Sequence, residues 1–131
     1  MNYQQKLLLL MITAFGFAIF TACEPGRNSH SAVPAADFTG SPGTGKAVYN
    51  RLCQRCHGEN ALGSPTGPPL VHKFYEPSHH GDMAFYMAAR NGVRSHHWHF
   101  GDMPAIPSAT PEDVGHVIAY VRQEQRKAGI K

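Results

Sequence analysis

The chain has 131 residues with 12 Lys+Arg against 9 Asp+Glu, a net charge of +3 with histidine neutral, and an unusual 9 histidines. That small basic excess is scattered rather than clustered, and no base-stacking aromatic pattern accompanies it, so nucleic acid is not the partner. Once a leader is set aside, about 110 residues remain, enough for one domain with one core.

The N-terminus reads as an export signal. Lys6 and the free amine give a positive start, Leu7 to Phe20 is an apolar stretch of signal-core length, and Thr21-Ala22 is small. The stretch is too short for a membrane span. Phe20-Thr21-Ala22-Cys23 resembles the lipobox of bacterial lipoproteins, although Phe20 stands where Leu is usual. The resemblance implies a signal peptide over residues 1–22 and a lipid-bearing Cys23, which several acyl chains would hold firmly on a membrane. It also implies a protein anchored there and facing the periplasm or cell exterior, with Glu24 pointing to the outer membrane in diderm bacteria. The alternative is plain secretion with cleavage near Ala22, leaving Cys23 as a free thiol in an oxidising compartment. From Glu24 to Ser41 the chain is rich in Pro, Gly, Ser and Ala, so residues 23–42 are expected to form a flexible tether with a reach of roughly 25 Å.

The folded unit is expected over residues 43–131. Gly43 to Cys53 predicts a first helix, with Val48, Tyr49 and Leu52 as its apolar stripe. Cys53-Gln54-Arg55-Cys56-His57 follows at once, and its spacing suits covalent attachment of a c-type haem. The thiols of Cys53 and Cys56 each add to one vinyl group, and His57 is carried beneath the iron as proximal ligand. A structural zinc site would need four ligands, and the only other cysteine is Cys23. A thioredoxin-like dithiol would need a βαβ setting, which this stretch lacks.

Gly81 to Asn91 predicts a middle helix with Met83, Tyr86 and Met87 on one face and Gly92 at its stop. The last helix is signalled by Thr110 as cap, Pro111 in first position and Asp113 reaching back, followed by Val114, Val117, Ile118 and Val121. Nothing reads as a strand or an internal repeat.

Helix, attachment motif, Thr66-Gly67-Pro68-Pro69-Leu70 loop, middle helix, Gly101-Asp102-Met103-Pro104 and final helix together resemble a monohaem class I c-type cytochrome over roughly residues 43–128. The resemblance implies a small all-α fold, about three main helices with long Gly/Pro loops around one covalent haem c. It implies that Gly45 and Tyr49 pack the first helix across the last, against Tyr120. Pro68 would accept the hydrogen bond of the proximal imidazole, and Met103 would be the sixth ligand. Met103 also stands alone on its position: Gly101 and Pro104 bracket it in a loop able to wrap a haem, whereas Met83 and Met87 read as helical core. A His/Met pair raises the haem potential and closes the iron, which suits a carrier rather than an enzyme.

The departure from such a cytochrome is histidine. His72, His79, His80, His96, His97 and His99 all fall between the attachment motif and Met103. If straight, the intervening helix would hold the two runs roughly 20 Å apart. Three readings stay open: haem-edge histidines bonded to propionates and backbone; a copper or zinc site on His79, His80, His96 and His97, with His99 as a further candidate; or a histidine replacing Met103 on the iron. Trp98 reads as packing around the haem, and His30 and His116 as incidental. The function expected is non-enzymatic one-electron transfer with redox proteins at the membrane. The alternative is a haem-containing metal-handling protein.

Overall fold

A computed structural model describes residues 31–131. The expected signal peptide, Cys23 and His30 lie outside the described residues. The first helix, α1 (Pro42–Leu52), begins on a proline, whose fixed φ suits a first turn, and buries Gly45, Val48 and Tyr49. A four-residue helix, α2 (Gln54–His57), continues it and stops at Gly58, whose φ of +76° needs a residue without Cβ. Two single 3₁₀ turns, Glu59–Ala61 and Lys73–Tyr75, punctuate the next loop. The loop leads to α3 (Asp82–Asn91), and a second long loop leads to α4 (Pro111–Lys127). Among the described residues there is no strand, only two isolated bridges, Ser64 with Gly67 and Val93 with Met103.

The α4 start behaves as its sequence predicts. Thr110 Oγ1 accepts from Asp113 N–H at 3.1 Å, and Asp113 Oδ2 accepts from Thr110 N–H at 3.3 Å, satisfying two groups that a helix end leaves orphaned. Its apolar stripe then builds the core. Val117, Tyr120 and Val121 meet Val48, Tyr49, Ala61 and Leu70, while Val114 and Ile118 meet Ala89 of α3. Each such aliphatic side chain stabilises the fold by about 1.5–3 kcal/mol.

The crossing of α1 over α4 depends on Gly45. A Cβ there would fall on the carbonyl oxygen of His116 and press on Tyr120 Cβ, so only hydrogen lets the helices touch backbone to backbone. Beside it, the Tyr49 and Tyr120 rings lie 5.4 Å apart, and Tyr49 Oη donates to Gly58 O at 2.7 Å, tying the crossing to the end of the attachment helix.

Two expectations fail here. Met83 is not core: it is 54% exposed, while Met87 lines a cavity beside α3, because α3 turns Phe85 and Ala89 toward α4. Small Ala89 lets the helix approach α4, and the Arg122 guanidinium covers the Phe85 ring at 5.0 Å. The tether is also shorter than expected. Phe38 packs edge-on against His116 with ring centroids 4.9 Å apart, Gly40 abuts Gly115 and Ala119, and Ser41 N–H donates to His116 Nδ1 at 2.9 Å. His116 is therefore an anchor for residues 38–41 rather than incidental. Among the described residues, no helix is long and apolar enough to cross a membrane.

Candidate functional site

Between α1, α3 and α4 lies a cavity of about 430 Å³, within the size range of ligand and cofactor pockets. Cys53, His57 and Pro68 form one side of it, and Met103 contributes to the lining from the second long loop. Val48, Leu52, Leu70, Phe85, Val114 and Val117 supply apolar walls.

Each polar side chain is positioned by local structure. His57 is buried at the end of α2, and its Nδ1–H donates to Pro68 O at 2.9 Å, which leaves Nε2 with a free lone pair. Burial holds the imidazole below the ordinary histidine value, partly offset by that hydrogen bond, so the ring is a neutral donor atom at neutral pH. Next to Pro68, Gly67 lies so close to the Cys56 carbonyl that no Cβ fits, and Ser64 Oγ donates to that same carbonyl at 2.6 Å. Cys53 and Cys56 are unbridged and half-buried. Burial, with the neighbouring Cys56 adding to it, pushes the Cys53 thiol up to about 11.

On the other loop, Val93 N–H donates to Met103 O and Met103 N–H to Val93 O, both at 2.9 Å. This reciprocal pair fixes the backbone that carries the thioether. Gly92 has φ +76° and lies against Met103 O, so the end of α3 and the Met103 loop are packed without room for a Cβ.

The histidine runs converge. Their loops fold back from both ends of α3, and His79 Nε2 lies 3.3 Å from His97 Nε2. His80 and His97 line the cavity, and the ligand nitrogens of His79, His80 and His97 lie within 4.8 Å of one another. His96 stacks on His80 at 5.8 Å and donates Nδ1–H to Arg94 O, but it is not one of those three. His99 is exposed and outside the group. His72 packs against Phe74 and Trp98, its Nδ1 accepting from Phe74 N–H at 3.2 Å.

Two residues of α4 that the sequence reading did not single out hold this region. Arg122 is buried and donates to Tyr75 O at 2.6 Å, His80 O at 2.6 Å, Gln125 Oε1 at 2.7 Å and Asp82 Oδ1 at 2.9 Å. Gln125 Nε2 donates to Leu70 O and Tyr75 O, both at 2.8 Å. A signal was available, since Val114, Ile118 and Arg122 recur every fourth residue and Gln125 stands four beyond Val121.

The residues present fit a haem. One apolar cavity gathers an oriented neutral imidazole, a thioether and an attachment cysteine, and Trp98 Nε1–H is buried beside it without a hydrogen-bond partner. An orphaned donor at a cavity wall suits an acidic group such as a propionate. The family model for cytochrome c matches residues 43–125. No curated protein and no solved structure matches the chain.

Proposed function

The chain belongs to the cytochrome c family, and on that premise we propose that it is a one-electron carrier whose haem c is bonded to Cys53 and Cys56 and ligated by His57 and Met103. The observation that carries this reading is the single cavity shared by Cys53, His57, Pro68 and Met103. When bound, the haem supplies Fe(II)/Fe(III) exchange, at a potential that a thioether ligand raises.

The protein's own part is to hold this centre still and dry. Pro68 O fixes the imidazole tautomer so that Nε2 faces the cavity. The Val93–Met103 bridge keeps the thioether loop closed, and the aliphatic walls exclude water. Trp98 Nε1–H offers the hydrogen bond that a propionate would accept. Were His57 and Met103 both to ligate the iron, no open position would be left for a substrate, which favours a carrier over a peroxidase-type enzyme.

The Phe20-Thr21-Ala22-Cys23 run supports export as a lipoprotein, with acylated Cys23 keeping the carrier on a membrane near its redox partners. Replacing Met103 tests the haem assignment. Met103→Ala should abolish the weak red charge-transfer band of iron–sulfur ligation and lower the potential, while His57→Ala should prevent stable holoprotein. An unchanged band and potential in Met103→Ala would reject the ligand assignment.

A further inference from the structure

The meeting of the two histidine runs goes beyond electron carriage. Three imidazoles from opposite ends of α3 are held with their ring nitrogens within 4.8 Å, and among the described residues no carboxylate or thiol joins them. We propose that His79, His80 and His97 form a copper site on the rim of the haem cavity.

The geometry is built for a shared cation. A tetrahedral metal with bonds of about 2.0–2.1 Å to nitrogen separates its ligand atoms by roughly 3.4 Å. His79 Nε2 and His97 Nε2 stand 3.3 Å apart, so one ion can accept both lone pairs after little movement. Each ring is oriented from outside the cluster. His80 Nδ1–H is committed to the Phe74 carbonyl, which leaves its Nε2 to ligate. His97 stacks on the Phe74 ring at 4.8 Å with an interplanar angle of 24°. The backbone N–H groups of His79 and His80 both donate to Glu76 O, at 3.0 and 2.8 Å, and Arg122 holds His80 O.

The donor chemistry selects the metal. An all-imidazole set without oxygen ligands discriminates against magnesium and calcium, and among divalent first-row ions affinity peaks at copper. Zinc is the competitor that the same ligands would take.

Calorimetric titration of the haem-loaded full chain with Cu(II) and, separately, Zn(II), together with electron paramagnetic resonance of the copper form, tests the proposal. One equivalent of copper bound tighter than about 1 μM, with nitrogen superhyperfine structure and displacement of any bound zinc, is expected. The binding should be lost in His79→Ala/His97→Ala and retained in His99→Ala, both at exposed or rim positions whose optical spectrum checks that the haem domain is intact. Absence of binding at that level, binding unchanged in the double variant, or zinc bound in preference to copper would each overturn it.

Discussion

Removing the Arg122 guanidinium tests whether α4 holds the histidine loop. A buried charge can often be replaced by an apolar residue at no cost, so the outcome depends on what the guanidinium touches. Its carboxylate partner matters little: the Asp82 side chain is 61% exposed, and an ion pair so wet contributes about 1 kcal/mol at most. Backbone carbonyls matter more. Arg122 donates to His80 O and Tyr75 O at 2.6 Å each, and a bond from a charged donor contributes about 1.5–3 kcal/mol. Tyr75 O keeps Gln125 Nε2, which trims its share, but the stacking over Phe85 adds about 0.5–1 kcal/mol. Arg122→Met, which retains the stem volume, should therefore lower stability by about 3 kcal/mol. Guanidinium unfolding of the haem-loaded protein followed by circular dichroism measures this. Hydrogen exchange of the His79 and His80 amides should accelerate more than that of the α1 amides. Arg122→Lys should recover little, since a point charge cannot reach two carbonyls and the Phe85 face together. Asp82→Asn should change stability by about 1 kcal/mol or less. A loss under about 1 kcal/mol in Arg122→Met, or equal losses in the Met and Asn variants, would refute the reasoning.

Three further outcomes follow from other parts of the molecule. Gly45→Ala should destabilise by about 2 kcal/mol or more, because its methyl meets the His116 backbone rather than a yielding side chain, and a thermal melt should show the midpoint fall by roughly 8 °C or more. Cys23→Ser should move the cytochrome from the membrane fraction to the soluble exported fraction; continued sedimentation with membranes, and no lipid mass on the N-terminal peptide of the parent, would refute acylation. In metal-free protein, His80 should titrate below the ordinary value of about 6.5, because burial disfavours its cation, the Phe74 bond opposes this only in part, and His79, His96 and Arg122 repel it. The neutral form is then the one the fold prefers, so its contribution to stability is present above that value and lost as pH falls below it; a ring-proton NMR midpoint at or above 6.5 would contradict the packing.

The parts of this fold that were legible in the sequence are those whose cause is local. The attachment motif and the Thr110 capping box place their partners within a turn or two, whereas the packing of Gly45 and Tyr49 on Tyr120 was implied by the family resemblance. Convergence of the histidine runs was not legible. Helical rise alone separates them, and only the backward course of both loops, held by Arg122 and Phe74, brings His79 onto His97. Met83 of α3 misled for a related reason. Periodicity shows that α3 has a face but not which face, and the choice was made by α4, which takes small Ala89 and the Phe85 ring in preference to longer side chains. Phe38 was passed over because composition describes a segment by its majority, whereas a single aromatic ring over Gly115 suffices to dock it.

That Arg122 and Gln125 occupy apolar-stripe positions follows from the architecture. Among the described residues there is no strand, and the long loops around the cavity cannot pair their carbonyls as a sheet would. A buried carbonyl without a donor costs about as much as a lost hydrogen bond, and the loop from Leu70 to His80 lies under α4. An aliphatic continuation of the Val114/Ile118 stripe would bury more apolar area but leave Leu70 O, Tyr75 O and His80 O without the donors they now have. Two long polar side chains at the end of the stripe satisfy all three. The consequence reaches function, because the same loop carries His79 and His80 to the rim of the cavity that His57 and Met103 line. The terminal turns of α4 thus set the position of the histidine cluster, although neither Arg122 nor Gln125 is a ligand in either site.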